Sequence, residues 1–149
     1  MIGTLDTKGV EYQFAQERFQ KSGLNTILID AGIIGQSLVK ADISNEEVAR
    51  AGGEELSALK NLGDRGFAVS VMTQGVNQIV QDLYKKNQCD GVFALGGSGG
   101  STISSFAMRN LPIGVPKVLV STLIASNASS FRSEEHTSEL QSRETISYA

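Results

Sequence analysis

The sequence predicts a Rossmann-like α/β domain built on a doubly wound, mainly parallel sheet, and three observations carry that reading. Short apolar runs alternate with longer amphipathic stretches along the chain. Each run ends in a cluster of Gly, Ser, Thr, Asp or Lys. Sixteen glycines stand against two prolines, gathered at those ends, which suits backbone-built binding loops more than disorder. Strands that alternate with helices pair in parallel through right-handed crossovers.

Met1-Ile2-Gly3 reads as the last residues of an apolar strand, most of which is missing, so the sheet is expected to be truncated at both ends. The loop Thr4–Gly9 follows, then an amphipathic helix from Val10 to Lys21 with Val10, Phe14 and Phe19 as its apolar residues. Ser22-Gly23 ends it, Gly23 being suited to a left-handed cap. Thr26–Ile29 is a short buried strand that opens into Asp30-Ala31-Gly32. Residues 33–43 form a connection without periodicity. Ser44 and Glu47 make a capping box for a helix over Asn45–Ala51. Glu54–Leu62 is helical after Gly52-Gly53, and Asp64-Arg65-Gly66 is a break. Phe67–Lys86 is a long helix, with Val69, Met72, Val76, Ile79, Val80 and Leu83 at helical spacing. Gly91–Leu95 is the next strand, Ser101–Arg109 the next helix, and Lys117–Val120 a further strand opening into Ser121-Thr122.

Residues 132–149 break this pattern. They hold His136, the only histidine, with four glutamates and many Ser and Thr, and no periodicity. The run from Arg132 to Ser142 resembles the in-frame translation of a sequencing-library adapter, and Ile146–Ala149 resembles its resumption. The expectation is a nucleotide-binding domain fragment over residues 1–131 and a non-native disordered tail over 132–149, with no functional role for His136.

Composition excludes several classes. A net charge of −3 gives no electrostatic footprint for nucleic acid. No apolar run approaches the ~20 residues that span a bilayer. No secretory signal is visible, and Cys89 is the only cysteine, so an internal disulfide is impossible and a cytoplasmic location is expected.

Ligands of open parallel sheets sit outside the carboxyl ends of the strands. At one such end, Gly96, Gly97, Ser98, Gly99 and Gly100 let the main chain approach an anion, and the helix behind offers free N–H groups and its positive end. Ser98, Ser101 and Thr102 add hydroxyls. The run is no P-loop, because no Lys-Ser/Thr pair follows at the required spacing. It fits a dinucleotide fingerprint poorly, because the next strand ends in Ser121-Thr122 without an acid for a ribose. At another end Thr4, Asp6, Thr7 and Lys8 combine hydroxyls, a carboxylate and a cation. Lys8 suits a phosphate and Asp6 a Mg²⁺ ion or a hydroxyl, while helix capping by Asp6 or Thr7 is the simpler alternative. Asp30 is either a ligand group or a turn cap. Asp64-Arg65 is a local ion pair or a helix start, or else part of a site. Cys89 reads as a small core residue.

Gly3-Thr-Leu-Asp-Thr-Lys-Gly9 with Glu11, Asp64-Arg-Gly66, Asp90-Gly91, Leu95-Gly-Gly-Ser-Gly-Gly100 and Leu111-Pro-Ile-Gly-Val-Pro-Lys117 with Val120-Ser-Thr122 occur in that order. Together they resemble the N-terminal domain of the tomato mosaic virus resistance protein-like ATP-binding family, most of whose members are uncharacterised bacterial proteins. The resemblance covers Met1 to Thr122. It implies a Rossmann-like domain that binds ATP, followed in the family by a second α/β domain. It carries the nucleotide site onto Gly3, Thr4, Asp6, Thr7, Lys8, Gly96, Gly97, Ser98, Gly99, Gly100, Ser101 and Thr102. The antiviral role belongs to one plant member and is not implied. Ser101 stands where Thr is more usual, and Leu123-Ile-Ala-Ser-Asn127 lacks the glycine of the family's turn, so residues 123–131 are not assigned as ligand contacts.

The expected ligand is ATP, with or without Mg²⁺. Three roles stay open: an ATP-binding domain fragment of a two-domain protein, a kinase- or ligase-like enzyme acting on a small substrate, and a non-catalytic interaction module. A second α/β domain or another copy of the chain is the expected partner, and neither nucleic acid nor membrane is.

Overall fold

The four apolar runs lie side by side as one sheet in which every pairing is parallel, in the order β2-β1-β3-β4. The computed structural model describes residues 1–122. Its elements are β1 (Ile2–Gly3), α1 (Leu5–Lys21), β2 (Ile29–Asp30), α2 (Asn45–Ala51), α3 (Leu56–Leu62), α4 (Arg65–Lys85), β3 (Val92–Gly96), α5 (Ser98–Arg109) and β4 (Lys117–Ser121). The expected tail and residues 123–131 lie outside the described residues.

Two apolar layers sandwich the sheet. On one face Ile2, Ile29, Val92 and Ala94 pack with Val48 of α2, Met72, Val76 and Val80 of α4, and Ile103 and Ala107 of α5. On the other, Leu5 and Tyr12 of α1 pack with Leu28 and with half-buried Phe93 and Leu95. Helices therefore cover both faces, as doubly wound connectivity requires. The tightest helix contact is between α2 and α4. A Cβ on Gly75 would strike the Val48 carbonyl oxygen, and one on Gly52 the Val71 carbonyl.

From β1 the chain steps outward to β2, then crosses back past β1 to β3 and continues to β4. The connections diverge between β1 and β3, so the topological switch point lies there. The ladder between these strands is a single pair, Ile2 with Ala94. Tyr12 closes its end. Its buried hydroxyl accepts the Leu95 N–H at 2.7 Å and shares its proton between the carbonyls of Leu95, at 2.9 Å, and Ile2. Gly3 makes room for this ring, because a Cβ there would occupy the space of the phenol.

Four local expectations change. First, α1 begins at Leu5 rather than Val10, so Thr4–Gly9 is a helical start and not a loop. Thr4 is its N-cap, its carbonyl accepting the first helical N–H, that of Lys8, at 2.9 Å, while the Asp30 carboxylate takes the Leu5 N–H at 3.1 Å. That second partner is 25 residues away and invisible to local pattern. Second, Val10 and Phe14 are exposed. The buried face runs through Leu5, Gly9 and Tyr12, Phe19 meets Phe93 edge-on at 5.1 Å, and Phe14 lies under the Arg18 guanidinium. Third, the second strand is Ile29–Asp30 rather than Thr26–Ile29, because only the two residues of β1 are there to pair with it. Fourth, the glycine run is hardly a loop: β3 ends at Gly96, α5 starts at Ser98, and Gly97 alone links them.

Candidate functional site

A cavity of about 500 Å³ opens over the β1/β3 switch point, within the range typical of small-molecule sites. Three helices present their amino termini to it. Thr4, Asp6 and Thr7 come from α1; Gly63, Asp64 and Arg65 from the start of α4; and Gly97, Ser98, Gly99 and Gly100 from the start of α5. The rest of the wall is apolar: Ala31, Ile33, Ile34, Leu59, Ala68, Val69 and Ile103. The cavity thus has a polar half built of helix starts and an aliphatic half.

Each helix start is held differently. The first amides of a helix have no acceptor within it, and no side chain caps those of α5. Ser98, Gly99 and Gly100 therefore offer unshared N–H groups at the positive end of a twelve-residue helix. The start of α4 is capped by Asp64, whose Oδ1 accepts the Phe67 N–H at 3.0 Å. The start of α1 is fixed from outside by Asp30.

The glycines of α5 are not explained by the protein's own needs. None of Gly96, Gly97, Gly99 and Gly100 has a positive φ. A Cβ at Gly99 would meet nothing within 4 Å, at Gly97 only Thr122 Oγ1 at 3.9 Å, and at Gly100 nothing nearer than Thr4 Oγ1 at 3.8 Å. Gly97, Gly99 and Gly100 stand on the cavity wall, and the volume they leave open belongs to the cavity.

Two carboxylates meet below the α1 start. Asp30 is buried, and its Oδ1 accepts the N–H groups of Gly32 at 2.8 Å and Leu5 at 3.1 Å. Burial pushes its carboxyl above the ordinary range, the two N–H groups oppose the rise, and the charges of Asp6 and Glu46 add to it. Asp6 Oδ2 accepts the Gly35 N–H at 3.1 Å, whereas its Oδ1 is buried with no hydrogen-bond partner. Both Oδ1 atoms lie 3.0 Å from where a Gly32 Cβ would stand.

Of the twelve residues expected at the site, Thr4, Asp6, Thr7, Gly97, Ser98, Gly99 and Gly100 stand together on the cavity wall. The other five stand behind or beside it. Gly3 makes room for Tyr12, and the Gly96 carbonyl accepts the Thr122 N–H at 3.2 Å. Ser101 is buried and donates to Ser121 Oγ at 2.7 Å, tying α5 to β4. Thr102 turns its hydroxyl back to the Ser98 carbonyl at 2.9 Å. Lys8 pairs with Glu11 at 2.8 Å, one turn along α1. Sequence reasoning did not assign the aliphatic wall. No local pattern marks Ile34, which is 83% exposed in the connection after β2.

The fold and cavity define a class: a doubly wound α/β domain with a cavity at the switch point. Residues 1–136 match the N-terminal domain of the uncharacterised protein family UPF0261, and the chain belongs to that family. A UPF0261 protein of Clostridium tetani is 43% identical over 135 residues, covering 91% of this chain and 33% of that protein. One from Brucella suis is 35% identical over 127 residues, 85% of this chain and 30% of its own length. The tomato (Solanum lycopersicum) ToMV resistance protein Tm-1(GCR237) is 30% identical over 146 residues, 87% of this chain and 19% of that protein. The chain thus spans about a third or less of the relatives it matches. No helix among the described residues is long and apolar enough to cross a membrane.

Proposed function

We propose that this domain binds a nucleotide, ATP, with its phosphates at the helix starts and its base against the aliphatic wall. The observation that carries the reading is the convergence of three helix amino termini on one cavity, one of them uncapped and lined with glycines that packing does not require. Partial positive charge from three directions favours a polyanion over a neutral ligand. The second half, with Ile33, Ile34, Leu59 and Val69, matches the flat apolar body of a purine. Asp6, with its buried unpartnered Oδ1, is the group that would take a Mg²⁺ ion accompanying the phosphates or a ribose hydroxyl. A cytoplasmic location fits such a ligand.

The length of the relatives supports a further domain beyond this one, where any groups that act on the ATP would reside. Binding is therefore the function assigned to these residues, and turnover is left to the whole protein. The test is thermal unfolding of the chain with millimolar ATP and Mg²⁺. At one hundred times Kd the ligand adds about 2.7 kcal/mol of stability, which for a domain of this size raises Tm by several degrees. Gly99→Val should abolish the shift without lowering the Tm of the ligand-free protein, since its side chain enters the cavity and not the core. An unchanged Tm for the parent chain at all ATP concentrations would rule the reading out.

A further inference from the structure

We propose that Arg65 is the cavity's phosphate-selecting residue: it pairs with the terminal phosphates of a nucleoside di- or triphosphate and sets the preference for them over the monophosphate. The inference rests on the nucleotide reading above and deepens it.

Three charged side chains line the cavity, Asp6, Asp64 and Arg65. Asp64 Oδ1 caps α4, and Asp6 accepts the Gly35 N–H through Oδ2 while its Oδ1 is the atom assigned above to a Mg²⁺ ion or a ribose hydroxyl. The nearby cation on α1, Lys8, is held by Glu11 and lies off the wall. Arg65 is exposed and makes no ion pair among the described residues. A wall carrying two carboxylates repels a polyphosphate unless a cation answers it, and Arg65 is the cation placed to do so. Its guanidinium fork suits two phosphate oxygens at once.

A second observation comes from the helix. Arg65 is the first residue of α4, and no acid shares its first turn. A cation there faces the positive end of the macrodipole, where an acid would be favoured. Local folding therefore disfavours Arg65, and no contact within the described residues compensates it. A residue that breaks the local rule without a structural gain belongs to a function.

The experiment compares the parent chain with Arg65→Ala and Arg65→Lys by calorimetric titration of ATP, ADP, AMP and adenosine in Mg²⁺, alongside the ligand-free Tm. Arg65→Ala is expected to lower ATP and ADP affinity at least about tenfold, the scale of one lost charged hydrogen bond. Adenosine affinity should stay within about twofold, because the base end is untouched. Arg65→Lys should fall between, keeping the charge and losing the fork. The ligand-free Tm of Arg65→Ala should equal or exceed that of the parent. An unchanged ratio of ATP to AMP affinity in Arg65→Ala overturns the inference while leaving nucleotide binding intact. So does an equal loss for adenosine, which would make Arg65 a packing residue of the rim. A parent chain that binds none of the four overturns the nucleotide reading itself, and this inference with it.

Discussion

Buried carboxylates persist only when hydrogen bonds offset their lost hydration, and Asp30 is held in that way by the amides of Leu5 and Gly32. The offset is partial, since its carboxyl still sits above the ordinary range. The folded state thus holds this proton more tightly than the unfolded chain does. The contribution of Asp30 to stability falls as pH rises from the ordinary carboxylate pKa through the raised folded value. Asp30→Asn keeps the oxygen that accepts both amides and carries no charge. Urea midpoints of the two proteins should converge at low pH and separate in favour of Asn as pH climbs. A gap independent of pH would mean that the carboxylate's charge is not what differs. Legibility at this scale follows reach. Ser44 acts on an amide three residues away, so its capping is visible in sequence, and Asp64, legible there only as a helix start, caps α4 over the same reach. Asp30 also takes the Gly32 N–H two residues on, the turn cap its place suggests, but its bond to Leu5 spans 25 residues and that of Tyr12 to Leu95 spans 83, and nothing local marks these.

At the scale of elements, the helix starts define the cavity and the helix crossings hold it. α2 and α4 meet at Gly52 and Gly75, where two backbones touch. Gly75→Ala gains helix propensity of up to about 1 kcal/mol. It also drives a Cβ into the Val48 carbonyl oxygen, a backbone atom that cannot swing aside. The clash decides the sign, and net destabilisation of about 1–3 kcal/mol is expected. Gly99→Ala on α5 is the matched control. Its Cβ meets nothing, so the same propensity gain should leave the protein as stable or more so. Chemical denaturation of the pair separates glycine kept for packing from glycine kept for a ligand. The periodicity of α4 and the capping box of α2 were legible because each is written within one element. The burial of α1 was not, because apolar Val10 and Phe14 suggest one face while the sheet selects another through Leu5 and Tyr12.

Across the whole molecule, α1, α4 and α5 reach the cavity from separate stretches of chain. A ligand seated there links them. ATP with Mg²⁺ should therefore slow amide hydrogen exchange at residues 5–8, 65–68 and 98–101 together. Slowing confined to α5 would point to a simple anion cradle and not to a shared nucleotide site. The sequence by itself determined the alternation of strand and helix, the parallel pairing that follows from it, and the small polar residues at the strand ends. These depend on composition and periodicity within a few residues of each position. Only the tertiary structure decided which of those ends share one cavity, that Lys8 turns to Glu11 while Arg65 lines the cavity, and that aliphatic residues from four segments close the far wall. Strand order and helix crossing bring them together, and neither is written in any local stretch of the chain.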